Sequence, residues 1–122
     1  MTYKEVYQAI SGVTLTTTST DTIPVAYYQF PEDDPNNPAP PPPFMVYYYP
    51  GDDDVLADNI NYAKVRRMTL ELYCDNKDFS LEEAVEEMLT SNGFVFSKSE
   101  EYINSEKLYE TIFETEVVIT NG

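Results

Sequence analysis

The stretch Pro38-Ala-Pro-Pro-Pro-Pro-Phe-Met-Val-Tyr-Tyr-Tyr-Pro50 limits what this chain can fold into more than any other. Proline fixes φ and removes a backbone donor, so residues 31–43 cannot run inside a helix or a central strand. Phe, Val and Tyr favour a half-buried pleated surface. The join at Phe44 is therefore a boundary, where a stiff, polyproline-like loop delivers a strand over residues 44–49. The run reads as a spacer for Phe44. The alternative, a ligand for an SH3-type groove, lacks the flanking basic residue such ligands carry.

Around that boundary the chain reads as one α+β domain spanning residues 1–122, an antiparallel sheet of four to five strands flanked by an N-terminal and a central helix. Tyr3, Val6, Tyr7 and Ile10 have helical spacing and stop near Gly12. Residues 14–22 are polar and β-branched, an exposed loop or weak edge strand. A proline-bounded strand follows over residues 23–31. In residues 65–74, Met68, Leu70, Leu72 and Cys74 face the core, and Thr69, Glu71 and Tyr73 face away. The central helix shows a capping box at Ser80 and Glu83, a stripe of Leu81, Ala84, Val85, Met88 and Leu89, and a stop at Asn92-Gly93. Its other face carries Glu82, Glu83, Glu86 and Glu87. Strands near residues 94–103 and 108–119 complete the sheet. In the last, Tyr109, Phe113, Val117 and Ile119 alternate with Glu110, Glu114 and Glu116, an apolar face backed by a carboxylate row.

Chemistry is limited by what is missing. No histidine exists, so every Ser-His, Cys-His and His-metal arrangement is excluded. The four glycines are scattered, which leaves no phosphate-cradling loop. The runs Asp52-Asp53-Asp54 with Asp58, and residues 75–86, lack the ligand spacing and central glycine of a calcium loop. We expect no enzyme, no metal and no cofactor. The single Cys74 reads as a small buried hydrophobe of an intracellular protein, and neither a signal peptide nor a membrane-spanning run is expected.

Acidity is the other constraint, with 22 Asp and Glu against 7 Lys and Arg and a net charge of −15. No cation lies between Lys4 and Lys64. Affinity for nucleic acid comes from cations that displace counterions, so tight phosphate binding is not expected. The acids serve either solubility or repulsion of a polyanion. The acidic loop of residues 50–62 carries Val55, Leu56 and Ile60 among its carboxylates, as a surface that meets a partner would.

The succession Ile23-Pro-Val-Ala-Tyr-Tyr-Gln-Phe-Pro-Glu32, Pro43-Phe-Met-Val-Tyr-Tyr-Tyr-Pro50, Ala57-Asp-Asn-Ile-Asn-Tyr62, Leu70-Glu-Leu-Tyr-Cys-Asp-Asn-Lys-Asp-Phe79 and Ser105-Glu-Lys-Leu-Tyr-Glu-Thr-Ile-Phe-Glu-Thr-Glu-Val117 resembles the tail-completion, or tail-terminator, proteins of long-tailed (siphovirus-type) bacteriophages. The resemblance covers most of the chain and is carried by strands, aromatics and one helix. It implies a structural virion protein, made in the host cytoplasm. Such a protein forms a homo-oligomeric, hexameric ring that caps the tail tube, ends its polymerisation and meets the head connector or stopper protein. DNA would pass the ring without specific binding. The long proline run and the polar residues 14–22 depart from the family pattern.

On that resemblance Asp52, Asp53, Asp54, Glu110, Glu114 and Glu116 become candidates for an acidic lumen, and Phe44, Val55, Leu56, Ile60, Tyr62, Arg66 and Arg67 for the contacts with other copies or partners. Six copies would gather about 90 negative charges, which contact surface must overcome. Arg66 and Arg67 meet either a neighbour's acidic loop or acids of their own chain. The alternatives to a terminator are a head-completion protein of the same junction and a proline-rich adaptor.

Overall fold

The computed structural model describes the chain except residues 17–19, 31–38, 54, 58–60 and 121–122, and gives residues 55–57 and 61–63 by backbone alone. The elements are α1 (Tyr3–Ser11), β1 (Val25–Tyr27), β2 (Phe44–Asp52), β3 (Val55–Ala57), β4 (Asn61–Cys74), α2 (Phe79–Ser91), β5 (Phe96–Ile103) and β6 (Leu108–Ile119). The sheet runs β1-β2-β4-β6-β5, with β3 paired to β4. This is the expected α+β fold with its two helices. It is mixed rather than wholly antiparallel, because the three residues of β1 pair with β2 in parallel.

Alternation along β4 is as the sequence predicts. Met68, Leu70, Leu72 and Cys74 are buried under the helices with Met45, Tyr47, Phe113, Val117 and Ile119. Val6 and Ile10 of α1, with Leu81, Val85 and Leu89 of α2, close the core from the same side. Each fully buried large apolar side chain contributes roughly 1.5–3 kcal/mol relative to an exposed one, so this single layer carries most of the stabilisation. Leu70→Ala, at the centre of the central strand, would cost about 2–5 kcal/mol.

Several local expectations change. Helix α2 starts one residue before Ser80: Asp78 is the N-cap and its carboxylate accepts from the Leu81 N–H at 3.0 Å, so no Ser80–Glu83 capping box forms. Capping by Asp78 adds two residues at the start of the helix, satisfies the Leu81 amide and brings a charge to the helix N-terminus. The capping box sits instead on α1, where Thr2 accepts from the Glu5 N–H and Glu5 accepts from the Thr2 N–H. Gly93 closes α2 at φ +80°, a region glycine enters without strain. Part of residues 50–62 is strand, since β2 runs on to Asp52 past a bulge between Tyr48 and Gly51, and β3 pairs with β4. Thr14 and Thr22 form one isolated bridge, and the residues between them include some outside the described set.

Glu82 is the largest departure. It was expected on the solvated face of α2, and its side chain is 3% exposed. Lys77 lies 2.5 Å from its Oε2 and Lys98 of β5 lies 2.9 Å from its Oε1. Lys77 also meets Glu100, and Lys98 meets Glu86 at 3.4 Å. Burial pushes the Glu82 carboxyl up, but the two ammoniums outweigh it and hold it below its ordinary range. This network ties α2 to the edge strand β5, whose run of exposed polar residues also discourages pairing with another sheet.

Candidate functional site

With both helices on one face, strand alternation leaves Phe44, Val46 and Tyr48 of β2, Arg67, Thr69, Glu71 and Tyr73 of β4, and Glu110, Ile112, Glu114 and Glu116 of β6 on the other. The chain leaving β1 folds over part of this open face. Tyr28, at φ +70°, sets its ring 5.1 Å from Tyr48, and Phe30 sits edge-on to Phe44 at 5.4 Å. Phe44 in turn stacks on Tyr73 at 5.0 Å. Phe44, one of the candidate contact residues, is thus half-buried inside an aromatic cluster of its own chain.

Beneath that cluster two carboxyls meet. The Tyr73 hydroxyl lies 2.7 Å from Glu110 Oε2 and 2.9 Å from Glu71 Oε2. No ammonium or guanidinium pairs with either acid among the described residues. Burial, with the hydrogen-bonded Glu110 carboxyl alongside, raises Glu71 to about 7, against the donated bonds from Tyr73 and Tyr48. Burial and the two neighbouring carboxyls push the Tyr73 phenol up as well.

This corrects the carboxylate row. Glu110 is 8% exposed and bridged by Tyr73, so it does not belong to a solvent-facing wall with Glu114 and Glu116. Register explains the difference: Glu110 pairs with Tyr73 and lies under the aromatic end of the sheet, whereas Glu114 and Glu116 pair with Thr69 and Arg67 at the polar end. Those two remain exposed beside a cleft of about 380 Å³ that Pro50, Arg67 and Thr69 also line.

Arg66 and Arg67, adjacent on β4, point to opposite faces. The Arg66 Nε lies 3.2 Å from Asp52 Oδ1 and donates to the Tyr3 hydroxyl at 3.0 Å on the helix side. The Arg67 Nε lies 3.7 Å from Asp53 Oδ2. Both therefore meet acids of their own chain, and Asp52 and Asp53 are taken up in these pairs. The Arg67 guanidinium lies over Gly51, where a Cβ would collide with it. Asp54 and Ile60 lie outside the described residues, as do the side chains of Val55, Leu56 and Tyr62.

On the helix side, next to Arg66, lies a groove no sequence pattern predicted. Tyr3 of α1, Tyr27 of β1, and Tyr47 and Tyr49 of β2 line it with Asp52 and Arg66, around about 470 Å³. The rings meet at centroid distances of 5.2–6.0 Å. Tyr3 is 47% exposed and Tyr27 52% exposed, while the Tyr49 hydroxyl is buried with no hydrogen-bond partner among the described residues. Burial pushes the Tyr49 phenol up, which keeps it a donor at any ordinary pH. The signal available in sequence was the alternation Tyr47, Tyr49. Its partners come from elements 20 and more residues away, and only tertiary packing brings them together.

Among the described residues no group of three or more His, Cys, Asp or Glu could hold a metal ion. Cys74 is buried, and burial, with Asp78 and Glu82 nearby, raises its thiol to about 11, so it is not a nucleophile at neutral pH. No described helix is long and apolar enough to cross a membrane. A scan of family models finds no match for the chain, and comparison with curated proteins finds no similar sequence.

Proposed function

We propose that this chain is a non-enzymatic structural subunit that assembles with copies of itself into a ring, of the kind that caps a phage tail tube and meets the head connector. The observation that carries this reading is the one-sided sheet. Both helices cover one face, and the other ends in an exposed carboxylate edge, Glu114 and Glu116, at one end and an aromatic cluster at the other. A chain with a net charge of −15 and a polar sheet face suits the wall of a bore through which a polyanion slides without adhering. Glu114 and Glu116 are the lumen residues in this reading. Glu110 is not, and Asp52 and Asp53 are exposed acids that each face an arginine of their own chain. The five stretches that resemble tail-terminator proteins point to the same role.

The test is a phage lysate lacking the gene, imaged by negative stain. Tubes of uncontrolled length, detached from heads, are expected, and finished tails of normal length on filled heads would overturn the reading. Pull-down against tube protein and against connector protein separates a terminator from a head-completion protein, by which of the two is retained.

A further inference from the structure

We infer that the tyrosine groove is the docking site for the acidic, proline-rich stretch of residues 32–43 from a second copy of this chain. The inference rests on the homo-oligomeric reading above and names the contact that joins neighbours. A proline run offers carbonyl acceptors, few N–H donors, and flat apolar rings, and aromatic-lined grooves with hydroxyl donors recognise it. The groove supplies that complement. The Tyr3 hydroxyl accepts from Arg66, and the Tyr27 hydroxyl accepts from the Tyr49 N–H at 3.3 Å, so both hydroxyl protons are left to donate outward.

Charge selects the ligand. In a chain this acidic, Lys4 and Lys64 line the depression that adjoins the groove at Tyr3, and neither has an ion pair among the described residues. Glu5, also there, is engaged in capping α1, and Asp52 is paired to Arg66. Glu32, Asp33 and Asp34 stand just before the prolines, where they would meet those two lysines.

The occupant is a second copy because the described end of the chain's own run, residues 39–43, leads to the other side of the sheet. Residues 40–43 lead into Phe44, which faces the open side of the sheet against Tyr73, whereas Tyr47 and Tyr49 face the helix side. Phe44 and Tyr49 are five residues apart on one strand, roughly 17 Å. Pro41 is exposed. A groove on one face and a ligand on the other make a head-to-tail contact, the kind that closes into rings.

A synthetic peptide of residues 31–44, titrated into the full-length chain and followed by calorimetry and light scattering, tests this. We expect saturable binding to monomers or, where copies are associated, release of monomers. Tyr27→Ala should weaken it at least tenfold. Tyr3→Phe, which keeps the ring, should weaken it several-fold. Replacing Glu32, Asp33 and Asp34 in the peptide by their amides should weaken it several-fold, and added salt should erase that difference. No binding, binding unchanged by Tyr27→Ala, or equal binding of the amide peptide at low salt would each overturn the inference. Capped tails from a chain whose groove ignores the peptide would sink the contact alone. Groove binding in a chain whose loss leaves tails normal would sink the tail role and keep the contact.

Discussion

Two carboxyl sites in this fold are shifted in opposite directions. At Glu82 two lysines converge on a side chain that is 3% exposed, and the group stays ionised below its ordinary range. Beside Glu71 and Glu110 the close donors among the described residues are phenols, and burial next to the Glu110 carboxyl raises Glu71 to about 7. Burial is common to both, so burial does not decide the charge. The partner does: a cation offsets the lost hydration of an anion, while a neutral hydroxyl offsets only part of it. In a chain with 7 cations, two are committed to one glutamate that ties α2 to β5, and among the described residues none pairs with Glu71 or Glu110.

The largest effect should come from breaking the first site. Lys77→Ala with Lys98→Ala strands the Glu82 charge, and denaturant unfolding at neutral pH should show a loss of about 3 kcal/mol, the low end for a broken buried pair because both lysines are partly exposed. Adding Glu82→Met should recover most of it. If the double variant keeps wild-type stability, Glu82 reaches water in solution and the contrast falls.

The pH profile sharpens the comparison, because the two sites pull in opposite directions. Glu82, depressed in the folded state, stabilises above its unfolded value of 4.5, and that stability is lost as pH falls through its lowered folded value. Glu71, raised from 4.5 to about 7, stabilises fully below 4.5, and that contribution is lost as pH rises to 7. Stability should therefore peak near pH 4.5 and fall by about 1–2 kcal/mol between there and pH 7, with little further change to pH 8, once solvent screening of a partly exposed group is allowed for. Glu71→Gln keeps a donor for Glu110 without the charge. It should remove that decline and gain about 1 kcal/mol at pH 8.

Tyr73→Phe acts on the same site from the other side. It deletes the donor shared by Glu71 and Glu110 and should cost about 1 kcal/mol. Because that bond favours ionised Glu71, its loss should move the Glu71 carboxyl titration, read by NMR, above 7. A downward move would mean that Tyr73 stabilises the proton rather than the anion.

Core and surface were unequally legible in the sequence. The alternation Met68, Leu70, Leu72, Cys74 and the stripe Leu81, Ala84, Val85, Met88, Leu89 are local periodicities set by burial, and all nine side chains are buried as their spacing predicts except Ala84 and Met88, which are half-buried against the core. Glu82 was misplaced because its neighbours on the helix surface are exposed glutamates, and only the approach of β5 brings Lys98 over it. Glu110 was misplaced because a period of two assigns a face but says nothing of what lies across it. Tyr73 reaches it by a register between strands 37 residues apart. The tyrosine groove was invisible for the same reason, being assembled from α1, β1 and β2. Sequence period reads faces, and the Glu82 and Glu110 contacts and the groove form where faces meet.

The smallest effect completes the comparison at its exposed limit. Asp53 has a cation partner, as Glu82 does, but its side chain is 49% exposed, that of Arg67 54% exposed, and the two are 3.7 Å apart. Water already solvates both, so the pair gains little Coulomb energy and gives up side-chain entropy to form. Asp53→Asn should change stability by less than about 0.5 kcal/mol, and added salt should shrink even that. Asp52→Asn, one residue away, should cost more, since the Arg66 side chain it faces is 16% exposed and also holds Tyr3 at the groove. If the two variants are equal, burial of the partner is not what gives an ion pair its weight in this sheet, and the contrast between Glu82 and Glu71 needs another cause.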